Sequence, residues 1–302
     1  MSVSAPRLRK CLFPVAGLGT RFLPVTKEIA KEMLPLVNRP IISYGVEEAV
    51  EAGCADIIMI TGRVKRSIED YFDTSFELES FLKERGKIAL YERVRETSRM
   101  ANILYARQSE PLGLGHAVLC GEPFCRGEFF GVILPDDVML GEPSVLAQLF
   151  DVHERKGGTV LALEEVPASE VTRYGIVASE VIEGGIHRIR DMVEKPSLEN
   201  APSRFAIMGR YVLSPSIFPL LAEKRQGAGG EIQLTDAIRR LATEKGEPVW
   251  GVVYKGRRFD CGTQKGWLTA NVQLALEDPD LCQAVLDVVD RHKVSSGADK
   301  VE

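Results

Sequence analysis

Residues 12–35, LFPVAGLGTRFLPVTKEIAKEMLP, decide the fold of this chain. The apolar run Lys10–Ala16 predicts a buried strand, and a loop rich in glycine follows it directly. Backbone N–H groups of a loop in this position can bind phosphate oxygens. The loop lacks the Gly-Lys-Ser/Thr of a Walker A sequence, and Phe22 stands where the dinucleotide fingerprint needs its third glycine. It therefore indicates a phosphate-binding loop of another type.

Three cationic side chains follow this loop. Arg21, Lys27 and Lys31 all lie within 15 residues of Gly17, and cations gathered in this way suit a polyphosphate. A tight turn followed by a solvated basic face explains the same residues, so the loop alone leaves both interpretations open.

Outward from the loop, short apolar runs alternate with amphipathic stretches, which predicts a parallel sheet with helices on both faces over roughly the first 165 residues. From Ile176 the pattern changes, and two β runs around Glu183-Gly184-Gly185 predict a hairpin insertion. The expected strands are 10–16, 55–61, 102–107, 129–134, 159–163, 176–178, 186–193, 205–213 and 249–254. The expected helices are 40–52, 65–85 in two pieces, 116–120, 144–156 with Ser144 as its cap, 215–223, 233–244, 266–276 and 281–289.

Composition places the chain among ordinary globular proteins. Its 302 residues carry a net charge of −5, with 45% hydrophobic and 27% charged residues. This balance argues against a collagen-like, disordered or disulfide-rich chain, and against a general binder of nucleic acid or anionic membranes. An anionic ligand would therefore need cations gathered at one place. The length fits two domains, or one α/β domain with an insertion.

The sequence also bears on location. No stretch approaches the roughly 18 consecutive apolar residues that a membrane span requires, and no apolar signal core follows the basic start MSVSAPRLRK. The six cysteines are scattered without a CxxC pair, which predicts free thiols rather than disulfides or a zinc site. We therefore expect a cytoplasmic protein with neither a membrane nor a nucleic-acid partner.

A second glycine-containing loop is a candidate for base recognition. It is Gln108–Gly115, QSEPLGLG, in which Gly113 and Gly115 leave room for a flat base beside the main chain. The Gln108 amide has donors and an acceptor that suit a pyrimidine edge. A plain surface loop remains the alternative.

Acidic residues follow later strands. Asp136 and Asp137 end a buried strand, where α/β sheets bind ligands. Their hard oxygen atoms can share Mg²⁺ with phosphates, and Asp260 near another strand end can supply a second ligand. Glu194 and Lys195, in MVEKP, offer a carboxylate for sugar hydroxyls and an ammonium for a phosphate. A solvated turn and a common surface dipeptide are the respective alternatives.

Taken in order, these pieces resemble the sugar nucleotidyltransferase family, and more narrowly its bacterial UTP–glucose-1-phosphate uridylyltransferases. The resemblance spans nearly the whole chain. It rests on PVAGLGTRFLPVTK, KEMLP, EPLGLGHAV, PDD, RYGIV, MVEKP, FAIMGRYVL, GEIQLTDAI and RFDCGT. The loop Ala16–Gly19 and the element Lys31–Pro35 favour the uridylyl branch over the thymidylyl branch. Ala30 and Asn38-Arg39-Pro40 depart from the usual family residues without touching the chemistry.

This resemblance implies a Rossmann-like core with a mixed, mostly parallel sheet flanked by helices, a small β insertion and C-terminal helices. It implies one domain over 1–302, with a nucleotide-binding half (10–165), a sugar-phosphate-binding half that includes the insertion (166–262), and C-terminal helices that make assembly contacts (263–302). It further implies Mg²⁺ as cofactor and a homodimer or homotetramer.

The implied reaction joins UTP and α-D-glucose 1-phosphate into UDP-glucose and pyrophosphate by in-line attack on the α-phosphorus. Arg21, Lys31, Asp136, Lys195 and Asp260 form the implied catalytic set. The individual roles are Ala16, Gly17, Gly19 and Thr20 for the nucleotide, Arg21 and Lys31 for its phosphates, Gln108 and Gly113 for uracil, Asp136 and Asp260 for Mg²⁺, Gly175 and Glu194 for glucose, and Lys195 for the sugar phosphate. Lys27 and Asp137 have no settled role.

Three other functions fit parts of the same pattern. A thymidylyltransferase would use dTTP, and a regulatory homologue would bind the nucleotide sugar without turning it over. A GT-A-type glycosyltransferase also pairs a nucleotide-binding sheet with an acidic metal motif, but it would not need a basic loop for pyrophosphate.

Overall fold

The computed structural model describes residues 8–63 and 65–298. The strands are β1 (Lys10–Pro14), β2 (Pro35–Leu36), β3 (Arg39–Pro40), β4 (Asp56–Thr61), β5 (Asn102–Arg107), β6 (Phe130–Ile133), β7 (Asp137–Leu140), β8 (Thr159–Glu165), β9 (Gly175–Glu183), β10 (Ile186–Glu194), β11 (Phe205–Leu213), β12 (Val249–Val253) and β13 (Arg257–Asp260). The α-helices are α1 (Ile41–Glu51), α2 (Arg66–Phe72), α3 (Phe76–Glu84), α4 (Ile88–Thr97), α5 (Leu114–Cys120), α6 (Glu122–Cys125), α7 (Val145–Lys156), α8 (Ile217–Ala222), α9 (Leu234–Thr243), α10 (Gln264–Glu277) and α11 (Pro279–Ala298).

Nine strands form one mixed sheet in the order β5-β4-β1-β6-β11-β8-β12-β10-β9, with a further pairing of β9 to β11. The parallel pairs are β1–β4, β1–β6, β4–β5 and β8–β12. The expected mixed, mostly parallel sheet is confirmed, because seven of these nine strands run in one direction. The two exceptions are β11, which runs antiparallel between β6 and β8, and β10, which runs antiparallel to both β12 and β9.

The parallel strands end together at one edge of the sheet, which positions the site. Pro14 at the end of β1 pairs with Ile60, and Thr61 at the end of β4 pairs with Arg107 at the end of β5. The loops that follow β1, β4, β5 and β6 therefore leave the sheet on the same side, where α/β folds bind ligands.

Alternate residues of the central strands pack on opposite faces, as the predicted pattern requires. Phe13 and Met59 belong to a cluster that includes apolar residues of α1, α2 and α7. Leu12 and Ile58 belong to a second cluster that includes residues of α5, α8 and α9. Helices therefore cover both faces, and burial of these apolar surfaces supplies the main stabilisation.

Most expected elements form within a few residues of their predicted bounds, but two predictions need correction. Helix α4 was not expected from the sequence. None of its residues is buried, and a helix without a buried face gives only a weak apolar pattern. Ser144 precedes α7 but its side chain makes no capping bond. Glu51 Oε1 accepts from Ser144 N at 3.0 Å and Glu48 Oε1 accepts from Leu146 N at 2.9 Å, so carboxylates of α1 satisfy these N–H groups instead.

The hairpin formed by β9 and β10 is present, with its turn at Gly184 and Gly185. It is not a separate layer, because β10 pairs with β12 of the main sheet and Ile176 of β9 pairs with β11. None of the helices in the described residues has the length and apolarity needed to cross a membrane. Residues 1–7 lie outside the described residues, and they make up most of the segment in which we expected no signal core. Residues 299–302 lie outside them as well.

A separate two-stranded ladder, β7 with β13, was not predicted. Val138 and Phe259 on this ladder share an apolar cluster with Ala270 of α10 and with Phe22 of the glycine loop. The cluster therefore fastens the glycine loop to the strands that carry the acidic residues.

Candidate functional site

The glycine loop after β1 keeps a backbone shape that requires glycine. Gly19 has φ +65°, and a Cβ there would come within 3.2 Å of the Thr26 side chain. Thr26 Oγ1 donates to Gly19 O at 2.7 Å, which holds the loop closed. Ala16 and Gly17 line a small cavity of about 50 Å³.

Around this cavity the predicted cations take different positions. Lys31 and Lys65 line it together with the loop. Lys27 is exposed, and so are Thr20 and Arg21, which lie in a single 3-10 turn after the loop. Lys65 is buried and its Nζ lies 2.6 Å from Oε2 of the buried Glu32. This pair was not predicted, and it fastens the segment after β4 to the KEMLP element.

Lys31 reaches across the site to one of the predicted metal ligands. Its Nζ donates to Asp136 Oδ2 at 2.5 Å. Burial by itself would lower the pKa of Lys31, but the negative charge of Asp136 raises it above its ordinary value. Burial by itself would raise the pKa of Asp136, but Lys31 holds it below its ordinary value. Both groups are therefore charged at neutral pH.

The β7–β13 ladder brings the two predicted metal ligands together. Asp137 pairs with Asp260 in the ladder, and Cys261 N donates to Asp136 O at 2.8 Å. A Cβ built on Gly262 would lie 3.1 Å from both Asp136 Oδ2 and Asp260 Oδ1, and 3.6 Å from Arg21 Nη1. Two carboxylates and one guanidinium thus converge on one point at the mouth of the glycine loop.

These two carboxylates fit a Mg²⁺ ion that shares its coordination with phosphates. Magnesium is bound in many phosphate-handling sites by one or two carboxylates, with phosphate oxygens and water as the other ligands. Within residues 8–63 and 65–298 no group of three or more His, Cys, Asp or Glu side chains could hold a metal by itself. A complete protein cage is therefore not what this site offers.

Asp137 has a different partner from Asp136. Its Oδ1 accepts from Arg258 Nε at 2.9 Å and lies 2.6 Å from Arg258 Nη2. Burial raises the pKa of Asp137 above its ordinary value, although the Arg258 charge opposes this. The structure therefore separates the adjacent acids into one that faces Lys31 and one that is paired with Arg258.

The residues predicted for the sugar phosphate also come together. Gly175 pairs with Glu194 in the β9–β10 ladder, and a Cβ on Gly175 would lie 3.1 Å from Glu194 Oε2 and from Thr235 Oγ1. Thr235 Oγ1 donates to Glu194 Oε2 at 2.7 Å. Lys195 follows with φ +46°, unusual for a residue with a side chain, and its Nζ lies 3.3 Å from Glu194 Oε1.

The loop after β5 has a different construction from the one predicted. Gln108 Nε2 donates to Gly113 O at 3.1 Å and lies 3.1 Å from His116 Nδ1, so this amide organises its own loop. A Cβ on Gly113 would come within 2.7 Å of Glu231 Cβ, and one on Gly115 within 2.6 Å of Ile232 O. The missing side chains therefore make room for the segment before α9, and the interpretation that they only make room for a base is incomplete.

A model of the family described as nucleotidyl transferase matches residues 14–277, which include the glycine loop, both acidic strand ends and the sugar-side residues. The chain belongs to the nucleotidyl transferase family. Membership makes it an enzyme that transfers a nucleotidyl group, as the sequence predicted.

Individual relatives of this nucleotidyl transferase point to one branch. The UTP–glucose-1-phosphate uridylyltransferase YngB of Bacillus subtilis is 47% identical over 94% of this chain and 97% of that protein. A crystal structure of UDP-glucose pyrophosphorylase complexed with UDP-glucose is 45% identical, with a TM-score of 0.81, over 90% of this chain and 100% of that one. A UTP-bound UGPase from Acinetobacter baumannii is 39% identical, with a TM-score of 0.83, over 93% of this chain and 98% of that one. The predicted resemblance is confirmed.

Several contacts within this candidate site escaped sequence reasoning. Arg173 Nη2 donates to Asp260 Oδ2 at 2.8 Å, Arg258 holds Asp137, and Thr235 holds Glu194. Arg173, Thr235 and Arg258 lie in or beside the motifs RYGIV, GEIQLTDAI and RFDCGT, but a motif does not show which side chain meets which.

Proposed function

We propose that this chain makes UDP-glucose and pyrophosphate from UTP and α-D-glucose 1-phosphate. The observation that carries the proposal is the convergence of Asp136, Asp260 and Arg21 on one point beside Gly262. Arg21 belongs to the glycine-loop segment, which suits nucleotide phosphates, and Asp260 accepts from Arg173, two residues before Gly175 of the Gly175–Glu194–Lys195 group, which suits a sugar phosphate. The named activities of the similar proteins support the same reaction.

Charge is the main obstacle to this reaction. Two phosphate charges 4 Å apart repel by about 4 kcal/mol at an effective dielectric constant near 20, and several such pairs meet when a sugar phosphate approaches a triphosphate. Positioning and neutralisation therefore carry most of the catalysis. Mg²⁺, held by Asp136 and Asp260, would neutralise charge on the phosphates of both substrates.

On the nucleotide side, we assign the backbone of Ala16–Thr20 to the nucleotide, and Arg21 and Lys31 to its phosphates. Lys31 is a cation at neutral pH, and its pairing with Asp136 aims it at the point where the phosphates would meet. Gln108 and Gly113 remain our candidates for uracil, because the Gln108 oxygen can accept a hydrogen bond while its Nε2 serves the loop.

On the sugar side, Thr235 orients the Glu194 carboxylate toward the glucose hydroxyls. The Lys195 side chain is 50% exposed, and its Nζ lies 3.3 Å from Glu194 Oε1. Its ammonium group can therefore turn toward the sugar phosphate. The phosphate oxygen then attacks the α-phosphorus of UTP, and the bond to the departing pyrophosphate breaks. Because that oxygen is already ionised, no base has to deprotonate it, and because it attacks the phosphorus itself, no protein nucleophile takes part.

The cofactor, assembly and location belong to the same proposal. We propose Mg²⁺ because two hard carboxylates converge at the phosphate position. We propose a homodimer or homotetramer because apolar side chains are exposed along α10 and α11, namely Leu268, Val272, Leu276, Leu286 and Val288. We propose a cytoplasmic location because the six cysteines are free thiols. The division into parts 10–165, 166–262 and 263–302 stays a prediction.

One assay tests the proposed reaction. Pyrophosphate release is measured with glucose 1-phosphate and either UTP or dTTP, with and without Mg²⁺. We expect release that depends on UTP, glucose 1-phosphate and Mg²⁺ together. A preference for dTTP would support the thymidylyltransferase alternative, and binding of UDP-glucose without turnover would support the regulatory one. The family match removes the glycosyltransferase alternative.

A further inference from the structure

Tyr174 lies between two arginines at the junction of the site's two sides. Its ring centroid is 5.4 Å from the guanidinium carbon of Arg173 and 5.4 Å from that of Arg258, distances typical of cation–π contacts. Arg258 Nη1 also lies 3.5 Å from the Tyr174 hydroxyl, to which it donates. We call Arg173, Tyr174 and Arg258 the arginine–tyrosine clamp.

Each arginine of the clamp also holds a carboxylate of the β7–β13 ladder. Arg258 binds Asp137 through Nε at 2.9 Å and Nη2 at 2.6 Å, and Arg173 Nη2 donates to Asp260 Oδ2 at 2.8 Å. Asp137 and Asp260 are partners in the ladder register. The clamp therefore contacts both strands of the ladder, β13, which ends at Asp260, and β7, which directly follows Asp136.

The other end of the clamp is the sugar side. Tyr174 directly precedes Gly175, and Tyr174 O accepts from Lys195 N at 3.0 Å. This bond holds Lys195 in its unusual backbone conformation, φ +46°. A shift of the Tyr174 ring would thus move Gly175 and Lys195 relative to the ladder.

Burial makes the Arg258–Asp137 contact the firm part of the clamp. Their side chains are only 11% and 14% exposed, so the pair is poorly screened and loss of one partner leaves a buried charge. Arg173 is 46% exposed, and exposed pairs contribute little. Both partners of the buried pair lie in the ladder, so Asp137 fixes the Arg258 side chain, and the contacts of Arg258 with the Tyr174 hydroxyl and ring join the ladder to the sugar side.

We propose that Arg258 and Tyr174 are positioning residues that hold the acidic ladder and the sugar-phosphate residues at a fixed separation, so that the two substrates meet in line. This inference rests on the proposed function. Partners of metal-binding carboxylates commonly change metal affinity or activity by about 10- to 100-fold, and misplacement by about 1 Å can cost about 100-fold in rate.

The test compares Arg258→Gln, Asp137→Asn and Tyr174→Phe with a matched control, Arg240→Gln. Arg240 is an arginine of α9, 14% exposed, that pairs with Glu223 and Glu244 away from the site. The readouts are Mn²⁺ affinity by electron paramagnetic resonance without substrates, KM for glucose 1-phosphate, kcat, and melting temperature.

Each variant has its own expected pattern. Arg258→Gln weakens Mn²⁺ binding about tenfold and also raises KM for glucose 1-phosphate, since it loosens both ends of the clamp. Asp137→Asn weakens Mn²⁺ binding more than it changes KM, whereas Tyr174→Phe raises KM several-fold and leaves Mn²⁺ affinity unchanged. Arg240→Gln lowers the melting temperature without changing either affinity.

The proposal is overturned if Arg258→Gln and Arg240→Gln change Mn²⁺ affinity and KM equally at a similar loss of melting temperature. If Arg258→Gln does not fold, Arg258→Lys and Tyr174→Phe decide: unchanged KM for glucose 1-phosphate in both overturns the proposal. If the wild-type protein makes no UDP-glucose, the proposed function is contradicted instead. The Mn²⁺ measurements are made without substrates, so they do not depend on turnover and the two failures can be told apart.

Discussion

The proposed nucleotide side of the site is organised by paired charges, whereas the proposed sugar side is organised by a hydroxyl group and by close approach of the backbone. On the nucleotide side Lys31 lies 2.5 Å from Asp136, and the buried Lys65 lies 2.6 Å from Glu32. On the sugar side Thr235 donates to Glu194 at 2.7 Å, and Gly175 leaves room for both side chains.

This difference matches what each side would have to bind. A triphosphate concentrates negative charge, so cations fixed in advance lower the reorganisation needed at the moment of reaction. A sugar is neutral except for one phosphate, so hydrogen-bonding groups and one movable cation suffice. Substitutions of the paired charges on the nucleotide side should therefore act mainly on rate, and substitutions on the sugar side mainly on substrate affinity.

The largest effect is expected for Asp136→Asn, which keeps size and shape but removes the charge that meets Lys31 and the metal. Loss of a metal ligand costs several kcal/mol, so kcat should fall more than a hundredfold while circular dichroism shows a folded protein. Addition of a chelator to the wild type should match it. The exposed Asp151→Asn, on α7, is the control. Retention of more than about a tenth of wild-type kcat would contradict the assignment.

Lys195→Ala should break the sugar side selectively. A hydrogen bond to a charged group is worth about 1.5–3 kcal/mol, so KM for glucose 1-phosphate should rise about tenfold or more, with a smaller fall in kcat. Lys224 is a matched control, because it too is a lysine with positive φ, +52°, at the end of α8. Steady-state kinetics with each substrate varied in turn give the answer, and a selective loss of UTP affinity would rule out the assigned role.

Gln108→Ala should have a smaller effect, confined to the nucleotide. Lost hydrogen bonds to the uracil edge would cost about 1–3 kcal/mol; we expect the lower end, about fivefold in KM for UTP, because Nε2 already serves Gly113 and His116. Gln148→Ala, whose amide bonds Pro143 O and Lys255 O, is the control. Unchanged kinetics with UTP would remove Gln108 from the site.

The smallest effect concerns the stability of the sugar-side hairpin. His187 is 3% exposed beside Phe205, and burial lowers its pKa below the ordinary value of 6.5. The unfolded chain therefore binds more protons than the folded chain below about pH 6.5. The free energy of unfolding should fall as pH decreases from there to the folded pKa, by at most about 1.4 kcal/mol per pH unit.

Urea denaturation of the wild type and His187→Gln between pH 7 and pH 5 isolates this contribution. The difference in unfolding free energy between the two proteins should change with pH in the stated direction. A difference that stays constant across this range would show that His187 does not titrate as described.

Sequence reasoning could select candidate site residues where strand ends and motifs carry the information. Asp136 follows an apolar run and Asp260 lies six residues beyond the end of another, at Tyr254, so their meeting at one edge of the fold could be expected before the β7–β13 ladder was known. Side-chain partners could not be found in this way. Arg258 meets Asp137 across 121 positions and Arg173 meets Asp260 across 87, and no local periodicity distinguishes these arginines from solvated ones.

The antiparallel placement of β11 shows the same limit at the level of the fold. Its apolar run predicts a strand, but its direction depends on packing between β6 and β8. Likewise, Gly113 and Gly115 were noticed for their missing side chains, yet the segment that fills the space, around Ile232, lies more than a hundred residues later.

In the proposed reaction, the sugar-side phosphate attacks UTP held on the nucleotide side in a single displacement. Exchange of radiolabelled pyrophosphate into UTP reports on this displacement, with Mg²⁺ present and with glucose 1-phosphate or UDP-glucose either supplied or omitted. We predict exchange only when the sugar substrate is supplied, because the bond between the α-phosphorus and the departing pyrophosphate breaks as the sugar phosphate attacks. Exchange with UTP and pyrophosphate alone would reveal a uridylyl-enzyme and contradict a single displacement. A lack of exchange under both conditions would also contradict it.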